Sequence, residues 1–155
     1  MRGRICKFNT WDRNSWDVYM KSIKICSALF FLLIGGLIYI GYRSETLLMF
    51  KWFECIGISD YIIHFRDICS KYNIPYFIKY SLPDGLWLLS YMMIIDSIWD
   101  NRNYTYYLFI YIIPFAAISM ELIQIIYSSL GTFDILDILS YVMAIIIYQL
   151  TQRLI

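Results

Sequence analysis

Residues Ile25–Tyr42 read ICSALFFLLIGGLIYIGY, eighteen positions without a charged side chain. A bilayer core of roughly 30 Å takes about 20 apolar residues as a helix, so this run is the clearest candidate for a membrane span. Lys21 and Lys24 bound it on one side and Arg43 on the other. The segment before it is basic, with Arg2, Arg4, Lys7 and Arg13. A secretory signal has its apolar core earlier and shorter, followed by a small-x-small cleavage site; none follows here, so the expectation is a retained first span.

The whole chain agrees with that run. Of 155 residues, 60% are hydrophobic and 16% charged, against about 45–50% and about 25% in soluble domains. So short a chain cannot cover its surface with so little charge. An ordinary cytosolic domain, a disordered chain and a disulfide-rich secreted module are therefore excluded as readings, and the lipid bilayer is the expected partner. A net charge of +1 supplies no field for nucleic acid, which is not an expected partner. The four cysteines, Cys6, Cys26, Cys55 and Cys69, show no CxxC spacing and no histidine at ligand distance, which argues against zinc. No cofactor motif is found.

Three further apolar stretches follow. The turn Ser81-Leu82-Pro83-Asp84-Gly85 opens the first, over about 81–99, with Pro83 suited to a first helical turn because it lacks an N–H. The next covers about 104–127 with Pro114 inside, tolerated in a membrane helix. The last covers about 133–150 and is closed by Gln152 and Arg153. The expected fold class is all-α: a single membrane domain over residues 1–155, a four-helix bundle with an interfacial helix in the first loop. That loop, 43–80, is long, and DYIIHFRDICSKY (Asp60–Tyr72) places Ile62, Phe65, Ile68 and Cys69 on one face of a helix. Basic residues dominate the side holding both chain ends and the 100–103 connection, so both termini are expected in the cytoplasm of a bacterial inner membrane. Cys55 and Cys69 fall on the other side, where pairing stays open, while Cys6 and Cys26 are expected as free thiols. Gly35, Gly36 and Gly41 would allow a close helix approach.

Ionisable groups in apolar segments are costly and mark functional candidates. Glu121 and Gln124, three apart, share a face of the third span, and Ser128 extends it; Asp134 and Asp137 share a face at the start of the fourth, continued by Tyr141; Asp84 opens the second, with Trp87 and Tyr91 on its face. The connectivity brings Asp84, Glu121, Gln124, Asp134 and Asp137 toward one membrane face. The short link 129–132 makes the last two spans antiparallel neighbours, so Glu121 and Asp137 can approach. The expectation is an acidic ligand-binding pocket open to the outer side. Each residue also has a plain structural reading: Asp134 or Thr132 as an N-cap, Gln124 as interhelical glue. A cation bridging such carboxyls would be Mg²⁺ or Ca²⁺ rather than Zn²⁺. Asp96 and Asp100 read as solvated acids at a helix end, and His64 as a polar-face residue.

This polar set resembles the VanZ-like family of small bacterial membrane proteins. The resemblance covers roughly Ser81–Gln149 and rests on Asp84, on the Glu121-x-x-Gln124 pair, and on Thr132-x-Asp134-x-x-Asp137. The family pattern carries a basic residue and a histidine just after the first acid, where this chain has Gly85 and Trp87. It carries an arginine before the threonine, where this chain has Gly131, and an asparagine and glycines later in the fourth helix, where this chain has Ser140, Tyr141 and Met143. The resemblance implies a cell-envelope role, with antibiotic resistance as the family's namesake association. Three functions stay open: an outward-facing pocket for an envelope-related amphiphile or an antibiotic-related ligand, a membrane-embedded enzyme using paired carboxylates, and an accessory subunit with a membrane-protein partner.

Overall fold

A computed structural model describes residues 10–44, 48–127, 129 and 131–154, the side chains of 10–14 and 154 excepted. Arg2, Arg4, Cys6, Lys7 and Ser128 lie outside the described residues, as does the side chain of Arg13. Seven helices occur among the described residues: α1 (Thr10–Tyr42), α2 (Leu48–Ile56), α3 (Ser59–Ser70), α4 (Tyr76–Tyr80), α5 (Leu82–Ile98), α6 (Tyr104–Ile126) and α7 (Ile135–Leu154). Three segments are long and apolar enough to cross a membrane: Ser15–Tyr42, Tyr104–Ile126 and Ile135–Arg153.

The first helix is longer than its apolar run. No glycine or proline interrupts residues 10–34, so helix continues through Lys21 and Lys24 instead of stopping there. At 1.5 Å per residue its 33 residues extend about 50 Å, well past a bilayer core. The two lysines are thereby held on a helix that packs against α5, and both meet acids of α5's far end.

With 17 residues, α5 is shorter than the three spanning candidates, and it is the interior element. Leu88, Leu89, Met92 and Met93 form the centre of the core, closed by Ala28 of α1, Tyr106 and Ile110 of α6, and Ala144 and Tyr148 of α7. Small residues allow the close approaches. A Cβ at Gly35 would stand 2.7 Å from Trp87 Nε1, and one at Gly85 would stand 2.9 Å from the Ser140 carbonyl oxygen. Gly35 thus seats α5 on α1, and Gly85 seats α7 on α5. Gly36 faces open space. Ser90 adds a buried hydrogen bond from α5 to the Ala28 carbonyl, 2.8 Å.

The pairing of ends fixes the directions. Lys24 of α1 meets Asp96 near the end of α5, while Arg43, just past α1, meets Asp84 at its start. The two helices are antiparallel. Tyr106 at the start of α6 and Tyr148 late in α7 both reach Asp96, so α6 and α7 run antiparallel to α5 and parallel to it, respectively.

Asn103 caps α6 by accepting the Tyr106 N–H at 3.0 Å, and Asp134 caps α7 by accepting the Leu136 N–H at 2.9 Å. The long loop holds three helices where one is expected. The expected helix is α3, and Phe65 and Cys69 pack on α1 where Gly41 leaves room. Ile68, expected on the same face, is 45% exposed; a turn of 100° per residue carries it to the side that α1 does not cover. Cys26, Cys55 and Cys69 are free thiols.

Candidate functional site

The structure gathers the ionisable groups of the apolar helices at two places, one at each end of α5.

At the start of α5, acids from three helices converge. Asp84 is half-buried and lies within electrostatic range of Arg43, Asp137 and Glu121. Glu121, only 8% exposed, accepts the Gln124 side-chain amide and the Asp134 backbone N–H, both at 3.5 Å. Tyr141, continuing the Asp137 face by one turn, is in range of Asp84, Asp137 and Glu121. The Tyr76 hydroxyl, from α4, faces Asp134. Glu121 therefore faces the α7 acids rather than the outside of the bundle. All five sequence-derived positions, Asp84, Glu121, Gln124, Asp134 and Asp137, belong to one cluster. Among their expected companions, Tyr91 does not: its hydroxyl donates to the Phe109 carbonyl on α6.

One cation enters this cluster. The Arg43 guanidinium donates to the Tyr80 carbonyl at 3.0 Å, approaches Asp84 at 3.5 Å, and stacks over the rings of Tyr39 and Tyr80, each 5.3 Å from the centroid. Arg43 reads in sequence as no more than the end of the first apolar run. What identifies it is that α5 must begin beside the end of α1, which requires knowing that the two are antiparallel partners.

The cluster is incompletely paired. Arg43 Nε, Ser81 Oγ, Trp87 Nε1 and Asp137 Oδ1 are buried without a hydrogen-bond partner in the protein. Ser81 Oγ sits against the Asp137 carboxyl, but the two do not meet with hydrogen-bond geometry. A buried polar atom left unpaired costs about 1–3 kcal/mol. Among the described residues, no three of His, Cys, Asp and Glu are arranged to hold a metal ion. The acids gather side by side rather than around a common point.

Three cavities of the molecule are lined by other residues. One of them, about 510 Å³, lies between the end of α1, α3 and the segment entering α4, and includes Tyr42, Arg66, Asp67 and Lys79. It abuts the acidic cluster through adjacent residues: Tyr42 and Lys79 line the cavity, while their chain neighbours Arg43 and Tyr80 form the cluster's wall.

At the other end of α5, Asp96 overturns the expectation of a solvated acid. Its side chain is 3% exposed. Oδ2 accepts from Lys24 Nζ at 2.6 Å and from Gln152 Nε2 at 2.7 Å. Oδ1 accepts from the Tyr106 hydroxyl at 2.7 Å, with the Tyr148 hydroxyl oxygen 3.3 Å and the Arg102 guanidinium 3.8 Å away. The two tyrosine hydroxyls also bond each other at 2.7 Å. One carboxylate thus ties α1, α5, α6 and α7 together. Sequence offers a signal for it: Asp96 precedes the last residues of the apolar run, Ser97-Ile98-Trp99, instead of following them. Asp100, by contrast, is exposed and pairs with Lys21, as a solvated helix-end acid would.

Compared with protein-family profiles, with curated proteins and with solved structures, the chain matches none of them.

Proposed function

We propose that this chain is a VanZ-like protein of the bacterial cell envelope, crossing the inner membrane four times with both termini in the cytoplasm. Its outward-facing acidic site, built from Asp84, Glu121, Gln124, Asp134 and Asp137, binds the head group of an amphiphile. The observation that carries this reading is the convergence of carboxyls from α5, α6 and α7 around buried polar atoms that the protein leaves unpaired. Groups that serve only packing are ordinarily satisfied; groups that serve a ligand are held ready at a cost to the fold.

Three further points support it. In the proposed topology α5 is the second of four crossings: its 17 residues give about 26 Å, and Ser81, which joins it to α4, keeps a right-handed helical backbone. Arg43 takes the place of the basic residue that the family pattern has beside the first acid, so an acid–base pair is present although it comes from another helix. The cluster sets four carboxyls against one guanidinium, which selects a head group rich in hydrogen-bond donors or bearing an ammonium.

The test uses Glu121→Gln and Asp137→Asn, produced in a bacterial host challenged with an amphiphilic glycopeptide antibiotic, with membrane levels of each variant measured alongside. The expected result is altered susceptibility at undiminished protein level. Unchanged susceptibility with both variants stably inserted overturns the proposal.

A further inference from the structure

A second site lies at the Asp96 end, and it has the opposite charge. A cavity of about 270 Å³ opens between the start of α6 and the end of α7, lined among others by Arg102, Arg153, Gln149, Gln152, Tyr107 and Tyr111. The charge balance around it is positive. Lys24 and Asp96 neutralise each other at 2.6 Å. Lys21 and Asp100 do the same. Arg102 borders the already neutralised Asp96 at 3.8 Å and is 54% exposed. Arg153 is exposed and makes no ion pair among the described residues. Among these described side chains four cations, Lys21, Lys24, Arg102 and Arg153, face two acids, Asp96 and Asp100, so the end of the bundle at this cavity keeps an excess of positive charge, and Arg102, which also donates to Gln152, shares an acid that Lys24 already neutralises.

The position of the cavity selects the kind of anion. Arg102 stands in the connection before α6, and Arg153 in the last turn of α7. Both cations are at helix ends, where lipid head groups lie. Tyr107 and Tyr111 are one turn apart on α6, so the cavity wall continues from its charged rim along α6 into the apolar span. A soluble anion would use the rim alone. An anionic phospholipid uses the rim for its phosphate and the tyrosine-lined wall for its acyl chain. Basic pockets between membrane helices are a recurrent way of holding such head groups.

We propose that the cavity between the start of α6 and the end of α7 holds an anionic phospholipid, with Arg102 and Arg153 as the cations that bind its phosphate. This site is about one α5 length from the acidic cluster and does not depend on what that cluster binds.

The detergent-purified full chain is titrated with dioleoyl phosphatidylglycerol or with dioleoyl phosphatidylcholine, and retained lipid is counted by native mass spectrometry. The expected preference for the anionic lipid is on the order of tenfold. Arg153→Gln, which breaks no ion pair among the described residues, lowers that preference about fivefold. The double change Arg102→Gln with Arg153→Gln abolishes it, and Lys51→Gln on α2 leaves it unchanged. Equal retention of the two lipids overturns the proposal. So does an unaltered preference in Arg153→Gln, and so does displacement of the lipid by millimolar inorganic phosphate, which would mark a site for a free anion.

Discussion

The two ends of α5 handle buried charge in opposite ways. At the Asp96 end both carboxylate oxygens accept hydrogen bonds, and the donors come from three other helices. At the Asp84 end several acids share one arginine, and Asp137 Oδ1, Ser81 Oγ, Trp87 Nε1 and Arg43 Nε lack partners. The first arrangement locks four helices in register. The second leaves polar capacity unused in a place where leaving it unused is expensive. Charge inside a membrane bundle is therefore not one category. Whether it is satisfied separates the Asp96 end, which holds the fold, from the Asp84 end, for which a ligand is proposed.

The sharpest way to break this comparison is to remove the satisfied acid. Asp96→Ala strands Lys24, whose side chain is 13% exposed, and leaves the Tyr106 hydroxyl and Gln152 without their acceptor. The expected loss is about 3–5 kcal/mol, read as thermal unfolding in detergent by tryptophan fluorescence. A loss below about 1 kcal/mol would mean that Asp96 is no keystone. Next in size is Gly85→Ala. The added methyl meets the backbone oxygen of Ser140 at 2.9 Å, and backbone on both sides cannot yield cheaply. The expected destabilisation is about 1–3 kcal/mol, together with separation of Asp84 from Asp137.

At the Asp84 end the direction changes. Asp137→Asn is expected to leave unfolding unchanged or to raise stability by up to about 1 kcal/mol, because it removes one of several like charges crowded together. A large loss there would make the cluster structural and erase the difference between the ends. Smallest is Lys21→Gln, which breaks the exposed pair with Asp100; the expected change is within about 0.5 kcal/mol. It provides the scale against which the Lys24–Asp96 pair, one turn away, is judged.

Much of this was legible in the chain. The start of α5 follows from Pro83, and α6 begins at Tyr104 where the apolar stretch is expected to begin, with Asn103 capping it in the structure. The grouping of Asp84 with Glu121, Gln124, Asp134 and Asp137 follows from helix periodicity and connectivity, because residues at known distances from helix ends must meet when the helices alternate in direction. Arg43 and Asp96 were not legible in the same way. Each stands at the edge of an apolar run, where a charge ordinarily meets water, and only its neighbours decide otherwise. For Arg43 those neighbours are Tyr39, Tyr80 and Asp84; for Asp96 they are Lys24, Tyr106, Tyr148 and Gln152. None lies within a few residues of its partner except Tyr39.

The sequence by itself determined that the long helices are apolar enough to cross a membrane and roughly where the later ones lie, because apolar length and helix-end chemistry act locally along the chain. It also fixed which acids share a helix face, since that depends only on 3.6 residues per turn. The tertiary structure alone decided which charges are satisfied. That outcome depends on which helices become neighbours, and the neighbours are set by close contacts at Gly35 and Gly85 that distant residues supply.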